Sequence, residues 1–360
     1  MAKSIFEIFE SKAIAAYWTD VNANMQDPMI GTRFFPVSKQ TGLTLGWIKG
    51  KNNLPVALQP AAFDTKAPLR DRIGVSELST EMPFFREAMR IGEKDRQDIE
   101  TLLAKGEMFA QPTIMRIFDD TMNLVDGALV QAERMRMSLL SGGTIAITAT
   151  AENGRPISYN YNYDADGNWA SDNNVELTGT STWTLANKAT SNPIEDLLDA
   201  AEVLATKFGV KAVEVLMNTA TFKGLIASDS IRKAMNPNGA SSIIVTRNAA
   251  KNFVQDETQL TITLYDKMFK DEQGVDKKYY PDGYCTLLPS YALGNTWFGT
   301  TPEEFDLMSG NSGASVSIVN TGIAITTIKE PHPVNVQTVV SEIVLPSFER
   351  MSDIYVMKVF

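Results

Sequence analysis

The longest periodic signal in the chain runs from Pro112 to Leu140, where Met115, Phe118, Met122, Val125, Leu129, Ala132, Met135 and Leu139 recur at three- and four-residue spacing. Residues so spaced share one face of an α-helix. Arg116, Asp119, Asp120, Asn123, Asp126, Glu133 and Arg134 fall on the far side. The spacing therefore predicts a single amphipathic helix, about 43 Å long at 1.5 Å per residue. Ser141-Gly142-Gly143 stops it, because glycine enters the left-handed cap conformation without strain. The period then shortens. Residues 144–150 and 157–163 read as a strand pair turning at Gly154-Arg155-Pro156, with Ile157, Tyr159, Tyr161 and Tyr163 alternating with polar neighbours.

A second block reads helix, strand, helix. Asn192 supplies a cap, Pro193 the first helical position, and Glu195 and Asp196 the first-turn acids that the helix dipole favours. Leu197, Leu198, Ala201, Leu204, Ala205 and Phe208 give that helix its apolar face, and Gly209 stops it. A buried strand follows at 213–217, then helices carrying Phe222, Leu225 and Ile226, and Ile231 and Met235. Strands at 242–245, 261–265 and 286–288 complete an α/β block with its own core. The last strands fall at 336–340, 343–345 and 354–360.

Two segments lack a core of their own. IFEIFE (5–10) and KAIAAYW (12–18) are amphipathic but too short to fold alone, so Phe6, Ile8 and Phe9 need another surface, of their own chain or of a neighbour. Between Thr32 and Ile73, strand-like pieces at 43–48 and 56–58 alternate with glycine and proline. Lys49, Lys51, Lys66, Arg70 and Arg72 outnumber Asp64 and Asp71 there, which reads as a protruding two-stranded loop.

Composition narrows the chemistry. A net charge of −10 over 360 residues argues against a protein that grips phosphates, so any DNA contact is expected to be loose. The single cysteine, Cys285, excludes an internal disulfide and sits in an apolar strand. The single histidine, His332, lies between Pro331 and Pro333 and excludes zinc sites built on several imidazoles. Asp164-Ala165-Asp166-Gly167-Asn168 opens like a calcium loop but lacks the downstream bidentate glutamate, so it reads as an Asp-Gly turn. There is no Gly-rich phosphate loop, no G-x-S-x-G elbow and no H-E-x-x-H. No catalytic residue, metal or cofactor is expected. With 43 acidic residues, a carboxylate-based hydrolase is the enzyme reading that stays open. No apolar run reaches membrane-spanning length and no signal-type core follows Met1, so the chain is expected in the cytoplasm where it is made, with no membrane partner.

The stretch from Tyr279 to Glu304, YYPDGYCTLLPSYALGNTWFGTTPEE, is broken by Pro281, Gly283, Pro289, Gly294, Gly299 and Pro302 into short pieces. Its order of strand, LP, LGNT and FGTTPEE resembles the major capsid protein E family of tailed bacteriophages, to which the lambda capsid subunit belongs. The resemblance implies an α+β, Hong Kong 97-type fold: an N-terminal arm (1–30), an extended loop (31–80), a peripheral domain with a spine helix at 112–140 (81–190), an axial domain (191–330) and a return segment (331–360). It implies a major head protein that self-assembles through hexamers and pentamers into an icosahedral shell around phage DNA, made in the host bacterial cytoplasm, with scaffold and portal as partners during assembly. Arm and loop in that family lie over neighbouring subunits, which makes Phe6, Ile8, Phe9, Lys49, Lys51, Lys66, Arg70 and Arg72 the candidate subunit contacts. Another self-assembling phage part, a tail tube or portal-associated protein, is the alternative. The lysine-asparagine cross-link of some capsids of this fold has no residue-specific match here.

Overall fold

The computed structural model describes residues 8–22, 29–49, 76–105, 107–150, 155–236, 245–309, 314–331 and 334–360. Its longest element is the helix Glu107–Gly142, 36 residues, or about 54 Å. It begins more than a turn before Pro112, which lies inside it and removes only one N–H bond near the helix start. At the other end Gly143 takes φ +65° and donates its N–H to Leu139 O at 3.0 Å. The backbone there favours glycine, and a Cβ would also press on Met351 Cε at 2.3 Å and on the Trp169 ring at 3.0 Å.

The buried seam of this helix is Thr121, Val125, Ala128, Ala132, Met135 and Leu139, close to the expected stripe, while Met115 is left exposed. Glu133 corrects the expected polar face. It is fully buried and accepts a hydrogen bond from Gly31 N at 3.0 Å, supplying the acceptor that the short helix Gly31–Phe34 lacks at its own N-cap residue Ile30. Arg136, Met137 and Leu140 are buried as well.

Contacts within the chain group it into two units. The first comprises Met1–Gly46, Ser79–Met135 and Asn295–Ser347. Its sheet is built on the 13-residue strand Val334–Pro346, which pairs antiparallel with Ile323–Pro331, with Phe84–Ile91 and, near its end, with Thr296–Phe298. Val37–Lys39 adds to Thr296–Phe298 in parallel, and Ser315–Val319 adds to Ile323–Pro331. The two strands expected at 336–340 and 343–345 are thus one, buried almost without interruption from Asn335 to Phe348. Strands Thr296–Phe298, Ser315–Val319 and Ile323–Pro331 all belong to this first sheet, since their pairing partner is Val334–Pro346 or its neighbour.

The second unit comprises Trp47–Leu78, Arg136–Gly294 and Phe348–Phe360. Its sheet runs in the order Asn174–Glu176, Tyr355–Lys358, Tyr284–Leu288, Glu214–Met217, Thr261–Leu264. Helices Pro193–Val203, Thr219–Ala227, Asp229–Met235 and Arg247–Thr258 supply Leu197, Phe222, Leu225, Ile231 and Val254 to a core shared with Val215, Leu287 and Met357 of the strands. Pro193 and Gly209 mark the start and stop of the first helical run as expected, with Gly209 at φ +70°. A two-stranded ribbon, Thr144–Thr150 with Pro156–Asn162, pairs Ile147 with Tyr159. The strand pieces expected at 56–58 and 242–245 fall outside the fully described residues, as does His332.

Candidate assembly surface

The FGTTPEE stretch folds into a strand, a tight turn and a helix within the first unit. Thr296 donates its N–H to Pro36 O and its hydroxyl to Phe35 O, at 2.8 and 2.9 Å. Asn295 and Ser347 bind each other reciprocally, Asn295 N to Ser347 Oγ at 3.0 Å and Ser347 N to Asn295 O at 2.7 Å. Phe298 is buried. Gly299 then lies directly on the sheet: an added Cβ would meet Ile343 Cγ2 at 2.7 Å and Met82 Cε at 2.9 Å. Thr301 accepts from Glu304 N at 3.2 Å, and Pro302 opens the helix Pro302–Ser309.

The two first-turn acids of this helix point back to its own chain. Glu303 accepts from the Arg86 guanidinium and from Ser341 Oγ (2.9 Å), and Glu304 accepts from Lys39 Nζ at 2.5 Å. With these two acids so held, Phe305 and Met308, one turn apart, are left exposed, as are Leu307 and Asp306. Phe305 is 64% exposed, Met308 73% and Leu307 41%. The start of the helix is legible in the sequence, where Thr301-Pro302-Glu303-Glu304 carries the signals of a cap, a proline at the first position and first-turn acids, but eight residues are too few to show an apolar period.

The arm behaves in the opposite way. Phe9 is enclosed by its own chain, in a cluster with Ile99 and Val336 bordered by Ile8 and Phe118. The host is the surface formed by the long helix and the sheet. Phe9 and Phe118 rings are 5.0 Å apart, Thr327 Oγ1 donates to Phe9 O, and Ser11 Oγ bonds the hydroxyls of Ser315 and Ser317. Along the helix Ser11–Asn22, Ile14 and Trp18 are buried, Tyr17 OH donates to Asp119 and Trp18 Nε1 donates to Asp126, each at 3.0 Å. Asp119 and Asp126, seven residues apart, present their acceptors on one face of the long helix.

Of the other candidates, Phe6, Lys51, Lys66, Arg70 and Arg72 lie outside the described residues; Lys49 ends the strand Thr44–Lys49. Cys285 is fully buried in the strand Tyr284–Leu288, where burial and, secondarily, the charge of Asp196 push its thiol well above the ordinary range. A thiol so held is not a nucleophile. Asp164 spends both carboxylate oxygens on backbone N–H groups, those of Trp169 (3.0 Å) and Ala170 (2.8 Å), capping the helix Asn168–Asn173. Asp196 accepts from Trp183 Nε1 at 2.8 Å; burial nevertheless raises its carboxyl above the ordinary range. Among the described residues no cluster of His, Cys, Asp and Glu could hold a metal ion, and no helix is long and apolar enough to cross a membrane. The second unit carries an open cleft of about 690 Å³ lined by Trp183, Leu185, Lys223, Lys278 and Phe360, beside Asp266. Asp266 is committed to Thr219, whose N–H and hydroxyl both donate to it.

The arrangement is one of internal latches and a helix with exposed apolar residues, with Cys285, Asp164 and Asp266 engaged by the fold itself. The sequence model of the phage major capsid protein E family matches residues 10–359. No curated protein matches the chain. Among solved structures, it is similar to a protein of an E. coli CFT073 prophage assigned as its capsid protein, at 12% identity, with 98% of this chain and 99% of that chain covered and a TM-score of 0.60. It is also similar to a phage-related protein from Bordetella bronchiseptica RB50, at 12% identity, with 97% of each chain covered and a TM-score of 0.53. The chain belongs to the phage major capsid protein E family and has the Hong Kong 97-type capsid fold.

Proposed function

We propose that this protein is a major head subunit whose work is to bury surface against copies of itself, forming the icosahedral shell that encloses phage DNA. The observation that carries this reading is the family match, which spans both units from residue 10 to residue 359. Its role is structural and involves no catalysis: Cys285 is sealed in the core, and Asp164 and Asp266 are bound to their own chain. Shell strength then comes from many modest contacts made at once. Hexamers and pentamers of the chain, a scaffold and a portal during assembly in the host cytoplasm, and loose contact with packaged DNA complete the reading. Looseness follows from the net charge of −10, since tight binding needs cations that displace counterions.

The basic residues Lys49, Lys51, Lys66, Arg70 and Arg72, with Phe6 and Ile8, are the sequence-based contact candidates. Contacts of that loop with acidic surface on a neighbour would be exposed and screened over about 8 Å at physiological salt. Reversing Lys49, Lys51 and Arg70 together to glutamate is expected to lower particle yield more than thermal stability. The deciding experiment is negative-stain imaging of the expressed protein. Closed shells support the reading, tubes or isolated rings favour a tail or portal-associated part, and a stable monomer at high concentration overturns it.

A further inference from the structure

The helix Pro302–Ser309 combines two features that a private structural element does not need. Its entry is fixed by Gly299, by the Thr301 cap and by the pairing of Glu303 with Arg86 and Glu304 with Lys39. Yet Phe305, Leu307 and Met308 are left in water. Exposing two large apolar side chains one turn apart on a firmly held helix forfeits the burial that would otherwise stabilise it.

Charge narrows the occupant. Two copies of a chain with net charge −10 repel, so they meet most readily where acids are already neutralised. Here the two first-turn acids each have a cation from their own chain, which leaves Asp306 as the one further acid of the helix beside the exposed Phe305 and Met308. Area narrows it further. Two largely exposed side chains offer on the order of a few hundred Å² at most, short of the roughly 800 Å² per partner that a stable pairwise interface buries. A contact this small holds only where other contacts between the same molecules act with it, as in a shell of identical subunits. We propose that Phe305 and Met308 form an assembly contact that seats against a second copy of this chain. The inference rests on the shell reading above and adds to it the residues that make one of its interfaces.

The test is the double variant Phe305→Asp with Met308→Asp, alongside the milder Phe305→Ser. Both side chains are exposed, so unfolding midpoints of the unassembled chains are expected to stay at the wild-type value, while particle yield by sedimentation and electron microscopy falls by roughly tenfold or more. Independently, a Met308→Cys chain is expected to react with a thiol reagent when unassembled and to be protected inside particles, with buried Cys285 silent in both states. Wild-type yield from the double variant, or equal labelling of Met308→Cys in particles and free subunits, overturns this contact and leaves the shell reading standing. A wild-type chain that forms no particles overturns the shell reading itself, and this contact with it.

Discussion

Two short helices in the first unit solve the same problem in opposite directions. Ser11–Asn22 turns its apolar residues inward: Ile14 and Trp18 are buried, and Tyr17 and Trp18 spend their polar atoms on Asp119 and Asp126 of the long helix. Pro302–Ser309 turns its two first-turn acids inward, through Arg86, Ser341 and Lys39, and leaves Phe305 and Met308 exposed. Both are amphipathic, and neither could hold its conformation alone at such length. The difference lies in which face the body of the chain satisfies. An inward apolar face makes a helix part of the monomer's stability, whereas an inward polar face fixes a helix in place and keeps its apolar side available.

The largest expected effect tests the arm's side of this contrast. Phe9→Ala and Trp18→Ala each remove a buried aromatic from a packed surface, a change that costs about 3–5 kcal/mol. Denaturant unfolding of the unassembled subunit should show it directly, and a chain lacking residues 2–20 should lose stability before it loses assembly. Unchanged unfolding in both would place the arm off its own body and dissolve the comparison.

Gly299→Ala acts at the root of the outward helix. The new methyl must displace Ile343 or Met82, and overpacking of this kind costs roughly 1–3 kcal/mol. Because Gly299 N also donates to Ile343 O at 2.9 Å, the strain is expected to tilt the helix start as well as destabilise the sheet. A variant with wild-type stability and wild-type assembly would show that the close approach is not what fixes the helix.

These two sites also mark where the sequence was legible. The long helix and its glycine stop could be read because apolar period and cap chemistry are local, and the same holds for the Asn192-Pro193 start. The strand Val334–Pro346 was split into two because Ser341 and Glu342 interrupt its apolar run; both are buried, and Ser341 is satisfied by Glu303, a partner 38 residues away in sequence. Glu133 was misplaced on solvent for the same reason, since its role is to cap a helix about a hundred positions earlier. Arg247–Thr258 escaped notice because only Ala250, Val254 and Thr258 of its residues are buried, too few to set a period. The arm's hydrophobicity announced that it needed a surface but could not say whose. That choice depends on Asp119, Asp126 and Phe118 converging with the sheet, which is a property of the fold.

A smaller effect on stability, with a larger one on assembly, is expected from Glu303→Gln with Glu304→Gln. The pairs with Arg86 and Lys39 are partly exposed, and such pairs contribute up to about 1 kcal/mol each. If they serve to orient Phe305 and Met308, particle yield should drop while the unfolding midpoint barely moves. A proportional fall in both would mean that the pairs stabilise the monomer and do not aim the helix.

The smallest effect is a pH dependence confined to the arm. The hydrogen bond that Tyr17 donates to Asp119, with burial and the carboxylate charge adding to it, raises the phenol above its ordinary value near 10. A group whose folded pKa is raised contributes stability that is fully present below its unfolded pKa and is lost as pH rises through the folded one. The arm's hold on the long helix should therefore be constant up to about pH 10 and weaken above it, as the phenolate loses its donor proton and faces Asp119 as a like charge. Tyr17→Phe keeps the ring against Phe118, whose centroid lies 5.3 Å away, but removes both the bond and the titration. Unfolding midpoints of wild type and Tyr17→Phe, measured from neutral pH to pH 11, should differ modestly in favour of wild type and converge or cross above pH 10. A difference that stays constant across the whole range would show that the Tyr17 hydroxyl does not couple the arm to Asp119.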